Sequence, residues 1–216
     1  MIIAIDGPAG AGKSSAARAL AQRLGFRFLD TGAMYRAVAL AGLRREVDWH
    51  DAAALPRLAR QIVIALDGDR VLLDGDDVTH QIRTLSVTSV THYPANNPGV
   101  REHLVKLQRQ VAGGWNVVTE GRDQGTVVFP HAECKIFLTA SPRERAQRRL
   151  LDLRAHGESV TLEDVLADQN QRDRRDASRD VGPLKPADDA VEINTDGLSA
   201  DEVVDRLEAL ARARMT

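Results

Sequence analysis

The 216-residue chain contains one cysteine, Cys134, so no intramolecular disulfide can form and a reducing compartment fits. Aromatic residues make up only 4% of it, too few for a surface that stacks successive bases of a nucleic acid. No apolar stretch approaches the roughly 18 residues that a membrane span needs. Neither sign of charge prevails: the formal net charge of −2 gives no general attraction to nucleic acid or anionic membrane, so phosphate binding has to come from a local cluster. A small phosphorylated ligand is favoured over a polymer. The first apolar run begins at Ile2, which leaves no room for a charged region, an apolar core and a cleavage site, so the expectation is a cytoplasmic protein without a leader. Internal repeats, low-complexity tracts and flexible linkers are also missing, and the length suits one domain or a core with small inserts.

What the chain does have is the run Gly7-Pro8-Ala9-Gly10-Ala11-Gly12-Lys13-Ser14-Ser15, which follows Ile2-Ile3-Ala4-Ile5 and precedes a helix-forming stretch. This is a phosphate-binding loop in its proper strand–loop–helix setting. Its glycines let backbone N–H groups turn inward towards phosphate oxygens. Lys13 can reach the β and γ phosphates, and the Ser14 hydroxyl is placed to ligate Mg²⁺. A glycine-rich turn that merely joined strand to helix would not require Lys-Ser directly after the last glycine.

Helical spacing predicts a first helix over 13–24, closed by Gly25, a short strand over 26–29, and a second helix from Ala33 to about Arg45. Another helix is expected over 51–61. Two apolar runs, 62–66 and 71–73, flank Asp67-Gly68-Asp69 and predict an antiparallel hairpin. Pro98 suits the first turn of a helix reaching Val111, and strands are expected over 115–119, 135–138 and 191–194. Pro142 opens a long helix to about His156. Thr161 and Ser199 begin two more with capping boxes. Alternating strands and helices imply a parallel sheet covered on both faces, with ligands at the carboxyl ends of its strands.

A phosphate-binding loop alone does not separate kinases, GTPases and motor ATPases. Asn-Lys-x-Asp, expected of a guanine-reading switch protein, is missing. Val117-Val118-Thr119-Glu120 loosely follows the strand-plus-acid pattern that positions Mg²⁺ in ATPases, which makes Glu120 a candidate; any core strand ending in a carboxylate reads the same way.

The stretches Asp30-Thr31-Gly32-Ala33-Met34-Tyr35-Arg36 and Glu120-Gly121-Arg122-Asp123-Gln124-Gly125-Thr126-Val127-Val128-Phe129-Pro130 resemble those of bacterial cytidylate kinases, within the nucleoside-monophosphate kinase superfamily. The resemblance extends through Ile82-Arg83-Thr84, Val100-Arg101-Glu102, Lys135-Ile136-Phe137-Leu138, Arg172-Asp173-Arg174-Arg175-Asp176 and Pro183-Leu184-Lys185-Pro186-Ala187, nearly the whole chain in order. It implies an α/β P-loop three-layer fold with a parallel core sheet, a small antiparallel insert and a helical lid. The implied division is a core of 1–30, 97–145 and 178–216, a monophosphate-binding part of about 31–96 and a lid of about 146–177. The implied reaction moves the γ-phosphoryl of ATP, with Mg²⁺, to CMP or dCMP, in a protein expected to act as a monomer.

Phosphoryl transfer asks mainly for alignment and for cations around the equatorial oxygens. Arg36 and Arg122 suit bidentate binding of the acceptor phosphate, and the resemblance gives both that role and adds Thr31 to the acceptor site. Cytosine offers an amino donor at N4 and acceptors at N3 and O2, so a carboxylate beside an arginine would read it; Asp123 and Arg101 meet that need. Asp123 capping the next turn is the plainer alternative. The resemblance assigns base reading to these two together with Arg179. Arg172 and Asp176, four apart on a helix, form either an ordinary ion pair or, as the resemblance favours, a ribose site. Arg145, Arg148, Arg149 and Arg154 lie on the helix leading into the lid; Arg148 and Arg149 are taken as those that reach the transferring group, with His156-Gly157 at the lid tip. His92 departs from the family, which usually has a small hydroxyl residue there: it either meets the pyrimidine edge or leaves that place to Thr91 or water. The remaining histidines have no ligand spacing, so no structural metal is expected.

Overall fold

The computed structural model describes residues 1–155 and 157–215; His156, expected at the lid tip, lies outside the described residues. The strands are β1 (Ile2–Asp6), β2 (Arg27–Asp30), β3 (Ile64–Asp67), β4 (Arg70–Leu73), β5 (Asp76–Asp77), β6 (Val117–Gly121), β7 (Cys134–Thr139) and β8 (Val191–Asn194). The helices are α1 (Lys13–Leu24), α2 (Thr31–Arg44), α3 (Ala54–Gln61), α4 (Leu85–Val90), α5 (His92–Asn96), α6 (Pro98–Ala112), α7 (Pro142–Ala155), α8 (Leu162–Ala177) and α9 (Ala200–Arg212). A 3₁₀ turn covers Gln81–Arg83 and a π-helical turn Gln124–Val128. The chain forms two compact units, residues 1–28 with 115–216, and residues 29–114.

The first unit is built on a five-stranded sheet in the order β2-β6-β1-β7-β8, whose β1–β6, β1–β7 and β7–β8 pairs are parallel. Ile3 stands opposite Val118 on one side and Cys134 on the other. Strands of such a sheet are covered on both faces and so read as continuous apolar runs, which is why β1 and β6 are buried almost throughout. Ala16, Ala17 and Leu20 of α1 and Val203, Val204 and Leu207 of α9 close one face over Ile3, Ile5, Ile136 and Leu138. Each large side chain buried there contributes about 1.5–3 kcal/mol. Trp115, expected to open β6, instead precedes it and stays exposed, with the Arg27 guanidinium 3.2 Å from its ring centroid.

Capping fixes the helices of this unit. The Ser199 hydroxyl accepts from Glu202 N at 3.3 Å while the Glu202 carboxylate accepts from Ser199 N at 2.8 Å, and Thr161 with Asp164 repeats the device at α8. Helices α7 and α8 have a small core of their own, Ala146, Leu150 and Val165, apart from the main one.

In the second unit α2 begins at Thr31, two residues before the sequence expectation, because the Asp30 carboxylate accepts from Ala33 N at 2.9 Å and so caps the helix. The hairpin forms where expected: Asp67 pairs with Arg70 across a turn in which Gly68 takes a φ of 60°. A third strand, β5, was not foreseen. Asp74 and Gly75, both at positive φ, turn the chain back so that two aspartates with low strand propensity pair with Leu72 and Leu73. Asn97 caps α6 by accepting from Gly99 N and Val100 N, with Pro98 at the first helical position, and α6 packs on α3. Among the described residues no helix is long and apolar enough to cross a membrane.

Candidate active site

At the carboxyl end of β1 the chain passes into Gly7 and returns to α1 through Gly12, which takes the left-handed conformation at the helix N-cap. Gly12 has no side chain with which to satisfy the first N–H groups of α1, so these stay available to an anion. Gly7 is required on two counts. Its φ is 150°, and a Cβ there would lie 1.9 Å from the carbonyl oxygen of Leu138 on β7. Gly7→Ala is therefore expected to separate β1 from β7 at the loop and to cost about 3 kcal/mol in urea unfolding, together with loss of nucleotide binding; a change within about 0.5 kcal/mol, the range of an ordinary surface substitution, would contradict this packing.

Lys13 is 5% exposed and donates from Nζ to the carbonyl of Pro8 at 2.7 Å, folding back along the loop. Burial, helped by the Arg122 guanidinium and opposed by Glu120, pushes its ammonium down to about 7. Beside it the Ser14 hydroxyl donates to the Glu120 carboxylate at 3.0 Å, which joins the first turn of α1 to the end of β6. Arg122 follows two residues later, directly past β6. Its Nε donates to Asp176 of α8 at 2.8 Å, and Arg179 donates to the other oxygen of the same carboxylate. Burial pushes the Asp176 carboxyl up, but Arg122 and Arg179 outweigh it and hold the group below the usual carboxylate range; Arg172 acts in the same direction. The hydrogen-bonded partners of Asp176 are thus Arg122, which directly follows β6, and Arg179, while Arg172 acts on it through its charge. Arg172 also bears on Lys13, so the lysine, Glu120, Arg122 and Arg172 share one region of this unit.

Asp123, 4% exposed, stands at the start of the π-helical turn, where its side chain makes no capping hydrogen bond. The capping there comes from Asp6, a residue outside every sequence motif named above, which accepts from Gln124 N at 2.8 Å and Gly125 N at 2.7 Å. A charged residue ending an apolar strand was the available signal.

Of the arginines on α7, Arg145 is the buried one. It donates to the carbonyls of Ala140 and Ala9 and to Asp173 of α8 at 2.6 Å, while Asp173 also accepts from Ala9 N at 3.4 Å. These bonds tie the phosphate-binding loop to α7 and α8. Arg148 is held by Glu144 at 3.1 Å and by the hydroxyl and carbonyl of Thr195 at 3.0 and 2.9 Å. Arg149 and Arg154 are exposed on α7.

The remaining expected residues lie in the second unit. Thr31 is buried at the first position of α2. Arg36, on the same helix, donates to the Ile82 carbonyl at 3.1 Å and the Thr88 hydroxyl at 2.7 Å. Arg101 is 3% exposed, donates to the Ala95 carbonyl at 3.2 Å and lies 5.7 Å from the Tyr35 ring centroid. The His92 ring meets the Ser89 carbonyl through Nδ1 at 2.8 Å and lies against Tyr93, which in turn stacks on Trp49.

Phosphoryl transfer needs little beyond alignment and positive charge, and the loop after β1, with Lys13, Arg122 and Arg172 beside it, offers both; on this parallel sheet they define a P-loop kinase. The chain belongs to the cytidylate kinase family, whose model matches residues 3–213. It is 51% identical to a cytidylate kinase of Rhodopirellula baltica over 98% of this chain and 93% of that protein, and 50% identical to one of Pelotomaculum thermopropionicum over 98% and 96%. Among solved structures, a shikimate kinase of Bacteroides thetaiotaomicron aligns with a TM-score of 0.52 at 15% identity, covering 98% of each chain, a likeness of fold alone.

Proposed function

We propose that the protein transfers the γ-phosphoryl group of ATP to CMP or dCMP. An oxygen of the acceptor's phosphate forms a bond to the γ phosphorus as the bond to the β–γ bridging oxygen breaks, giving ADP and CDP or dCDP. The observation that carries this reading is the convergence of Lys13, Glu120, Arg122, Arg172 and Asp176 beside a phosphate-binding loop in a chain of this family.

Gly7 to Ser15 cradle the donor phosphates, and Lys13 swings from Pro8 onto the β and γ oxygens. Ser14 and Glu120 give a hydroxyl and a carboxylate, hard oxygen donors 3.0 Å apart that fit Mg²⁺. Such an ion, when bound, would neutralise charge developing between the β and γ phosphates. Arg36 and Arg122 hold the acceptor phosphate, with Thr31 beside it. Arg101, Asp123 and Arg179 read cytosine, with His92 at the pyrimidine edge, and Arg172 with Asp176 holds the ribose hydroxyls. Arg148 and Arg149 belong to a lid of about 146–177 that closes over the donor, in a monomer with a core of 1–30, 97–145 and 178–216 and an acceptor part of about 31–96. A cytoplasmic setting without nucleic-acid or membrane partners fits the net charge of −2 and the sparse aromatics.

ADP release with saturating CMP, dCMP, UMP, AMP and shikimate tests the reading. The cytidine nucleotides should be clearly preferred. Preference for another acceptor would overturn the specificity, and turnover with none would overturn the kinase assignment.

A further inference from the structure

Asp6 is the last residue of β1, directly before the phosphate-binding loop, and is 4% exposed. A carboxylate removed from water in this way is costly unless hydrogen bonds replace its hydration. Both of its oxygens are engaged, Oδ1 by Gln124 N at 2.8 Å and Oδ2 by Gly125 N at 2.7 Å. These two amides immediately follow Arg122 and Asp123. The turn itself is closely fitted: a Cβ on Gly125 would stand 3.3 Å from the Lys135 side chain and 3.5 Å from the Asp6 carboxylate. Burial pushes the Asp6 carboxyl up to about 6, the two amides oppose this, Asp123 adds to it and Lys13 opposes it. The carboxylate therefore faces three things: the turn that follows the acceptor residues, the Asp123 charge, and the lysine of the donor loop.

We propose that Asp6 is a positioning residue that clamps the Arg122–Asp123 segment to the strand carrying the phosphate-binding loop, so that one side chain sets the acceptor groups against the donor groups. The inference rests on the acceptor role given above to Arg122 and Asp123. Asp6 touches no reacting atom. It acts through the backbone of Gln124 and Gly125, and because two N–H donors point at it, an acceptor is needed on both sides. Asparagine has nearly the same shape but a single acceptor oxygen, and its amide would point a donor at a donor.

Asp6→Asn tests the clamp, with Asp6→Ser as a smaller uncharged variant should asparagine not be seated. Backbone amide exchange at Gln124 and Gly125 reads it without any substrate and should quicken at least tenfold, while Ile3 to Ile5 of β1 stay protected. ATP affinity, measured by equilibrium binding, should stay within about threefold of wild type. The KM for CMP should rise and kcat fall, together lowering kcat/KM for CMP about a hundredfold. Unchanged exchange at the two amides would overturn the clamp. An equal loss of ATP affinity and CMP efficiency would also overturn the proposal, since Asp6 would then serve only the phosphate-binding loop. Absence of CMP turnover in the wild-type protein would count against the acceptor reading itself, and the exchange measurement would still decide whether the clamp exists.

Discussion

Lys13→Met should lower kcat roughly 10²–10³-fold, the size of effect seen when one oriented donor to developing transition-state charge is removed. The same variant should keep or raise the melting temperature. The Lys13 ammonium is buried, and its pKa is pushed down to about 7 by that burial and by Arg122. A group whose charged form is disfavoured in the folded state works against stability, so an apolar side chain of similar length relieves a cost. Activity and stability therefore move apart. A parallel fall in both would mean that Lys13 is a structural residue of the loop, and full activity would remove it from the chemistry. Steady-state kinetics and thermal melting on the same preparations give the answer.

The second large effect is on selectivity. Asp123→Ala is expected to narrow the ratio of CMP to UMP efficiency about 10–100-fold, mainly through loss of CMP turnover, since a good bidentate base contact is worth about 1–3 kcal/mol of discrimination. Cytosine presents a donor at N4, which a carboxylate accepts; uracil presents a carbonyl there, which a carboxylate repels. Asp123→Asn keeps the shape and replaces an acceptor by a group that can also donate, so it should raise UMP efficiency above that of the alanine variant. Equal losses on both nucleotides would refute base reading. The geometry supports the assignment in one respect: Asp123 is buried at the head of the π-helical turn yet does not cap it, because Asp6 holds the amides there.

That division of labour between Asp6 and Asp123 shows where sequence reading ends. Local signals were read well when donor and acceptor are close in the chain. Asp67-Gly68-Asp69 announced the hairpin, Ser199 with Glu202 announced α9, and Gly7 to Ser15 announced the phosphate-binding loop. Spacing alone puts the start of α2 at Ala33, although Asp30, three residues earlier, is its cap; Gly32 obscures a helix that Thr31 already begins. Strand β5 has no apolar alternation, and it exists because Asp74 and Gly75 turn the chain back.

The site was legible only as a set of residue types. Which arginine meets which carboxylate was not. Arg122 reaches Asp176 across 54 residues, Arg145 reaches Ala9 across 136, and Asp6 reaches Gln124 across 118, distances over which no spacing rule operates. In the sequence Arg145 and Arg148 read alike, as arginines of one helix. In the fold one is tied to the phosphate-binding loop and the other to Thr195 at the end of β8. Such pairings depend on sheet order, since β1 lies between β6 and β7, and that order follows from packing rather than from any local pattern.

The activity reduces to one act of chemistry, the movement of a phosphoryl group from ATP to a cytidine monophosphate. Phosphorus NMR of the purified protein with ATP, Mg²⁺ and CMP follows every phosphorus atom in that act. ADP and CDP resonances should grow in equal amounts as those of ATP and CMP decline, with no comparable growth of inorganic phosphate. Inorganic phosphate accumulating while CMP stays intact would contradict that transfer.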